Sequence, residues 1–308
     1  MVLSLEETLP VLTTYIAAMF VMMGMGFALF KAKMIEHHGI AQMSNVILYA
    51  ASPCIVVQSF LTDFSMQRLI EAGWCVVFSA IISGVTILVT RCVYRNKQPL
   101  SAFSVIFTNS GFIGIPIVQS VLGVEYVFYV SMCIVCVTFF VWTYGAWLVS
   151  QDKREISITK IATNPGVVTI FIGLLLFVFS IHPDPILKIS IARVADINAG
   201  LAMIILGAYL AEAKIAELIR DKWIYFASFL RLLVMPLITL GILWFAPLEQ
   251  AIKLVLFITF ATPSGALTAI FSQKYGKDYE YAVGLVAAST LLSLVTMPIM
   301  MALALMWL

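Results

Sequence analysis

The sequence is short of charge. Only 11% of its 308 residues are Asp, Glu, Lys or Arg, while 62% are hydrophobic. A water-soluble domain carries roughly 25% charged residues. So little charge cannot cover a soluble surface of this size, which excludes an ordinary globular domain and makes an all-α polytopic membrane protein the default class. Histidine is scarcer still, at three. His37 and His38 fall in one polar connector and His182 in another, so no intramembrane proton relay rests on histidine. There is no HExxH, no GxxxxGK[ST] loop and no basic block, which removes zinc-protease chemistry, ATP coupling through a P-loop, and nucleic acid as a partner. Asp196 is the one Asp well inside an apolar run, whereas an intramembrane enzyme needs paired acids, a metal cluster or a nucleophile–base pair. The expectation is no enzyme, no metal and no cofactor.

Cysteine is also sparse and scattered, at positions 54, 75, 92, 133 and 136. Cys133 and Cys136 form a CxxC, but on a helix-length apolar stretch without a His or a second CxxC nearby, so packing is the expected role. The opening MVLSLEE is acidic and lacks the basic region of a signal peptide, so the first apolar run is expected to stay as a span. The fifteen Met and twenty-one Phe read as lipid-facing and core residues.

What is present is a series of long apolar runs. Ten spans are expected, at about 9–30, 40–62, 69–90, 101–122, 125–149, 165–181, 190–211, 223–246, 251–273 and 281–306. The longest connector, SQDKREISITKIATN at 150–164, falls after the fifth. It divides the chain into a first half at 1–149 and a second at 165–308. The connectors after spans 1, 3, 5, 7 and 9 hold thirteen of the eighteen Lys and Arg. They include Lys214, Arg220 and Lys222 after span 7. The positive-inside rule then places those connectors in the cytoplasm and both termini outside it. Five spans per half means the second half enters from the opposite side, so homologous halves would be inverted repeats. AQMSN at 41–45 aligns with ARVAD at 192–196, placing Asn45 over Asp196.

The fourth span of each half is broken near its middle. The first break is Thr108-Asn109-Ser110-Gly111-Phe112-Ile113-Gly114-Ile115-Pro116. The second is Thr259-Phe260-Ala261-Thr262-Pro263-Ser264-Gly265. Each Pro lacks an N–H and crowds the carbonyl four residues back, and Gly111, Gly114 and Gly265 let the backbone leave helical geometry. Such a break survives only buried in protein or lining a wet cavity. Matching breaks in two halves point to a transporter site. Half-helices starting at Pro116 and Pro263 would aim free N–H groups at the break and create an anion site. Asn109, Ser110, Thr262 and Ser264 are the side chains placed to help.

These residues resemble a known family. NSGFIGIP resembles the fourth-helix motif of the auxin efflux carriers, and TPSGALTAIFSQKYG at 262–276 resembles their ninth helix. SNVILYAASP at 44–53 and DINAGLAMIILG at 196–207 look like the second and seventh. The resemblance covers essentially the whole chain. It implies ten helices in two inverted five-helix repeats, with helices 4 and 9 broken and crossing near the membrane midplane. It further implies a scaffold of helices 1, 2, 6 and 7, and a transport domain of helices 3–5 and 8–10 that moves in an elevator-like way. The implied substrates are small organic anions such as mono- or dicarboxylates, with Asn109 as the crossover asparagine. Thr262 and Ser264 flank Pro263 in place of an asparagine. The central loop is short, as in compact bacterial members, which implies the cytoplasmic membrane. A homodimer is compatible with the resemblance.

Further candidates are Asn198 with Gly200, matching the family's Asn-x-Gly, and Asn45 in the polar middle of span 2 with Ser52 and Pro53. Arg193 and Asp196 are three apart and can pair. They stand, with Arg231 about eight residues into span 8, as candidates for coupling or charge balance. For Arg231 the alternatives are an anionic substrate or carbonyls freed at a break. Glu71, at a span's end, is expected to be solvated. An alternative reading is a sodium-coupled symporter like the bile-acid carriers, with unwound carbonyls as ligands. A sensor that binds without flux is the other.

Overall fold

A computed structural model describes residues 5–95, 97–212 and 221–308, with the side chains of residues 5–13 and 16 left aside. The first four residues, Lys214 and Arg220 lie outside the described residues. The described chain is helical throughout, with a single isolated β-bridge and no strand. Besides two short helices at Lys153–Glu155 and Ile158–Ala162, the described residues form twelve helices in order: α1 (Leu5–Lys31), α2 (His37–Phe60), α3 (Met66–Tyr94), α4 (Pro99–Ile106), α5 (Ser110–Val121), α6 (Val124–Ser150), α7 (Pro165–Val178), α8 (Pro185–Glu212), α9 (Lys222–Trp244), α10 (Gln250–Ala261), α11 (Leu267–Lys274) and α12 (Tyr279–Trp307). Among the described residues, seven helical stretches are long and apolar enough to cross a membrane: α2, α3, α6, Lys153–Val178 ending in α7, α8, α9 and α12. The protein is therefore a multi-pass membrane protein. Shorter apolar helices are Ala17–Lys31 within α1, α5 and α10. Large apolar side chains such as Phe171, Leu88 and Val295 face outward, as a lipid environment allows.

Several helices bend at a recurring device. Within α2, α5 and α9 one turn widens to a π-turn, at Ile47–Ala51, Ser110–Gly114 and Leu230–Val234. Each is followed two positions later by a proline: Pro53, Pro116 and Pro236. A proline in a regular helix removes a donor and drives its ring into the carbonyl four residues back. Widening the preceding turn relieves both, and the residue before each proline bonds five residues back: Ser52 to Ile47, Ile115 to Ser110, and Met235 to Leu230. Such bulges redirect the side chains of the turn they occupy. In α9 that turn carries Arg231.

The helices pack in two groups. In the first, α8 lies along α1 and α2, and α2 packs on α7. The α1–α8 contact is backbone on backbone. A Cβ added to Gly207 would fall 1.8 Å from the Met23 carbonyl oxygen, and one on Gly26 would fall 2.0 Å from that of Ile204. Small residues at such crossings let dispersion hold helices together where lipid supplies no hydrophobic drive. In the second group α3 packs on α6 and α4, and α9 and α10 on each other and on α12. Contacts between the groups run chiefly through α1 with α5 and α12, α8 with α5, and α2 and α7 with α6.

Candidate functional site

The second group encloses two places where the backbone stops being helical. Helix α4 ends at Ile106, and Phe107 is extended, at φ −100° and ψ 120°. Helix α10 ends at Ala261, and Thr262 is extended, at φ −60° and ψ 153°. The two stretches meet as an antiparallel bridge between Thr108 and Ser264. Asn109 donates its N–H to the Pro263 carbonyl at 2.9 Å, and Gly265 donates to the Phe107 carbonyl at 2.9 Å. The Ser264 N–H goes to the Ser289 hydroxyl at 3.2 Å. Unwound backbone so far from water must be satisfied within the protein, and here each stretch satisfies the other. The approach is close enough that a Cβ on Gly265 would lie 2.8 Å from the Thr108 carbonyl oxygen.

Beyond the bridge the chain resumes helix twice, though not at the prolines. Helix α5 starts at Ser110, six residues ahead of Pro116, because the π-turn accommodates that proline inside the helix. Helix α11 starts at Leu267, four residues after Pro263, because Ser264 and Gly265 are held in the bridge. The first internal bonds come from Ile113 to the Asn109 carbonyl and from Thr268 to the Gly265 carbonyl. The N–H groups of Ser110, Gly111 and Phe112, and those of Ala266 and Leu267, therefore precede any acceptor in their own helix. Helices α3, α7, α9 and α12 are capped at this end by Ser65, Asn164, Asp221 and Asp278. Neither α5 nor α11 has a side-chain cap.

Arg231 holds the other ends. Its side chain is fully buried, at 1% exposure. Nε and Nη2 donate to the Thr262 carbonyl at 2.9 and 2.7 Å, Nη2 to Phe260 at 2.6 Å, and Nη1 to Val105 at 3.1 Å. All three carbonyls belong to the C-terminal ends of α4 and α10 and the residue after. Among the described residues no carboxylate pairs with Arg231. A helix C-terminus carries about −0.5 charge and an N-terminus about +0.5. One guanidinium thus offsets the two C-termini and leaves the N-termini of α5 and α11 as net positive ends.

Around these ends lie Asn109 and Ser110, both buried, and Thr262 and Ser264, buried as well. The Asn109 side-chain nitrogen is buried and has no partner. A Cβ on Gly111 would meet nothing within 4 Å, whereas Gly114 abuts Thr262. Asn198 on α8 is fully buried. Its oxygen accepts from the Ser52 hydroxyl at 2.9 Å and its nitrogen is unpartnered. Helix α8 packs on the Ser110–Gly114 turn. Asn45 lies on an exposed face of α2. Arg193 and Asp196 pair at 3.8 Å, with side chains 82% and 58% exposed, away from the buried face that carries Asn198. Glu71 is half-buried, accepting from the Tyr129 hydroxyl at 2.5 Å and from Gln67 at 2.8 Å, so it is less solvated than expected.

A cleft of about 150 Å³ opens between the two helix groups. Its lining runs from His37 and Tyr209 at the ends of α2 and α8 to Ala266 and Thr290. Ala266 carries one of the open N–H groups, and Thr290 follows the Ser289 that caps Ser264. The cleft thus reaches the edge of the crossing. His37 Nδ1 lies 2.9 Å from Glu212 Oε1 at its mouth.

Sequence reasoning missed Ser289, a serine in an apolar helix, and Val105 and Phe260, which act through backbone carbonyls. The signal for the last two was Arg231 itself, a charge without a sequence neighbour to pair with. A family model described as "Membrane transport protein" matches residues 11–161 and again residues 151–301, so the two matches together span nearly all of the chain. No curated protein matches it significantly.

Proposed function

The chain belongs to this family of membrane transporters, the auxin efflux carriers, and we propose that it is a secondary transporter of small organic anions, with mono- or dicarboxylates as the substrate class. The observation that carries this reading is the pair of uncapped helix starts at Ser110 and Leu267 beside the unpartnered amide of Asn109. Open N–H groups at helix starts favour negative charge. A buried amide nitrogen without an acceptor is costly, and a carboxylate oxygen would supply one. Asn109 and the open N–H groups hold the carboxylate, and Ser110, Thr262 and Ser264 complete the polar contacts. Gly111 leaves room, Gly114 and Gly265 let the two breaks approach each other closely, and Pro116 and Pro263 shape them. Asn198 faces the site from α8.

In the same reading the chain has ten spans as two inverted repeats, at 1–149 and 165–308, with 150–164 as cytoplasmic linker. The doubled family match supports the repeat. Helices α1, α2, α7 and α8 form the scaffold, and the rest form the body that moves against it to change which side the site faces. The separate packing of the two groups and the cleft between them support that division. By the positive-inside rule the cleft mouth at His37 faces the cytoplasm and both termini lie outside.

The test is thermal stability of the purified protein against carboxylates, matched neutral amides and amines. A ligand at about 100 times its Kd stabilises by about 2.7 kcal/mol. A carboxylate-specific shift, followed by counterflow of that carboxylate in proteoliposomes, supports the reading. Shifts with amines alone overturn the anion assignment, and binding without counterflow points to a sensor.

A further inference from the structure

Two helix C-termini that meet inside a membrane make a cation site. Their last carbonyls have no partners in their own helices, and converging carbonyl oxygens are the ligands that hard monovalent cations take. In this chain the carbonyls of Val105, Phe260 and Thr262 converge in that way, and the group among them is the guanidinium of Arg231, at 2.6–3.1 Å. We infer that Arg231 is a tethered cation in the place that a coupling sodium ion would take, so that transport by this chain needs no sodium.

Three features carry the inference. Arg231 comes from α9, which belongs to neither interrupted helix pair, so its charge is brought in from outside as a free ion would be. It has no carboxylate partner among the described residues, so its charge serves the carbonyls alone. It is fixed there by the π-turn ahead of Pro236 and is 1% exposed. A second cation at these carbonyls would meet strong repulsion in an interior of low dielectric. The functional consequence rests on the transporter reading above, but the cage can be tested without any substrate.

Purified wild type and Arg231→Ala are melted in choline chloride, in sodium chloride, and with guanidinium chloride at low millimolar concentration. The wild type should melt at one temperature in sodium and choline. Arg231→Ala should melt lower in choline and recover by about 2 °C or more when sodium or guanidinium fills the vacated carbonyls. A sodium-specific rise in the wild type overturns the inference, and so does an Arg231→Ala protein indifferent to every cation. Where Arg231→Ala does not fold, Arg231→Lys keeps the charge without the fork. It should fold and ignore sodium, and a sodium response in it overturns the inference. A failed carboxylate panel would sink the substrate assignment and leave these melts unaffected. Equal counterflow in sodium and choline supports the inference, and sodium-dependent counterflow overturns it.

Discussion

Asn109 gives its backbone N–H to the Pro263 carbonyl at 2.9 Å, and Pro263 has no N–H to give back. In an antiparallel ladder the next bond would run from residue 263 to the Asn109 carbonyl. The proline stops the ladder there. The Asn109 carbonyl is thereby free to accept from Ile113 at 3.0 Å and Gly114 at 3.3 Å, which starts α5. One imino acid thus converts a sheet-like contact into a helix start, which leaves the N–H groups of Ser110 and Gly111 ahead of any acceptor in their own helix.

Asn109→Ala should remove substrate recognition without unfolding the protein. The side-chain nitrogen bonds to nothing in the protein, so its loss leaves no protein group orphaned. A hydrogen bond to a charged acceptor is worth about 1.5–3 kcal/mol, so apparent affinity should fall about 10- to 100-fold. Asn109→Asp should be worse, since it sets a negative charge at two positive helix ends. Carboxylate thermal shifts and counterflow read both variants, and unchanged kinetics in Asn109→Ala would remove this residue from the site.

Gly265 and Gly111 should respond differently to alanine. At Gly265 the new methyl would sit 2.8 Å from the Thr108 carbonyl oxygen, which is backbone and cannot swing aside. Overpacking of this kind costs about 1–3 kcal/mol, so the melting temperature should drop. At Gly111 the methyl meets nothing within 4 Å, so stability should hold while transport falls if that space admits substrate. Melting curves and counterflow on both variants separate the effects, and a stable Gly265→Ala protein would contradict the close approach.

The breaks at TNSGFIGIP and TPSG were legible because Gly, Pro and Asn are conspicuous in an apolar run. Their helix starts were not, because the sequence shows where proline is but not which neighbour satisfies its surroundings. The π-turn carries Pro116 inside α5, and the bridge holds Gly265 back from α11. Arg231 was legible as a problem, a charge too deep to be solvated. Of the two partners open to it, substrate or freed carbonyls, the geometry supplies three carbonyls. Asn45 and Asn198 looked alike in sequence, but only Asn198 is buried. Asn198 lies on α8, which is gripped between α1 and α2, while Asn45 lies on an exposed face of α2.

Gly207→Ala should weaken the α1–α8 contact. The added methyl would fall 1.8 Å from the Met23 carbonyl oxygen and 2.9 Å from the Phe27 nitrogen, so the two helices must separate. That separation forfeits packing along the whole contact, because dispersion falls steeply with distance. A lower melting temperature is expected, with carboxylate affinity retained in the folded fraction, since Asn109, Thr262 and Ser264 sit at the crossing, outside α1 and α8. Melting with and without the carboxylate checks this, and an unchanged melting temperature would show that α1 is not held as described.

Glu155→Gln should loosen the linker from α11. Glu155 Oε2 accepts from the Tyr275 hydroxyl at 3.0 Å and lies 3.2 Å from Lys160 Nζ and 3.5 Å from Lys274 Nζ. Lys274 in turn sits over the Trp142 ring at 5.2 Å. The hydrogen bonds from Lys160 and Tyr275 hold the Glu155 carboxyl below its ordinary range. The contact is therefore complete above that range and lost only as pH falls through the lowered value. Burial, then the bond to Glu155, pushes the Tyr275 hydroxyl up to about 12, so the donor persists through neutral pH. The surface setting makes the effect on global stability small, and local opening is the better readout. Tryptic cleavage after the exposed Lys153 and Arg154 at neutral pH should run a few-fold faster in Glu155→Gln than in wild type. Equal cleavage would mean that the carboxylate does not hold the linker in place.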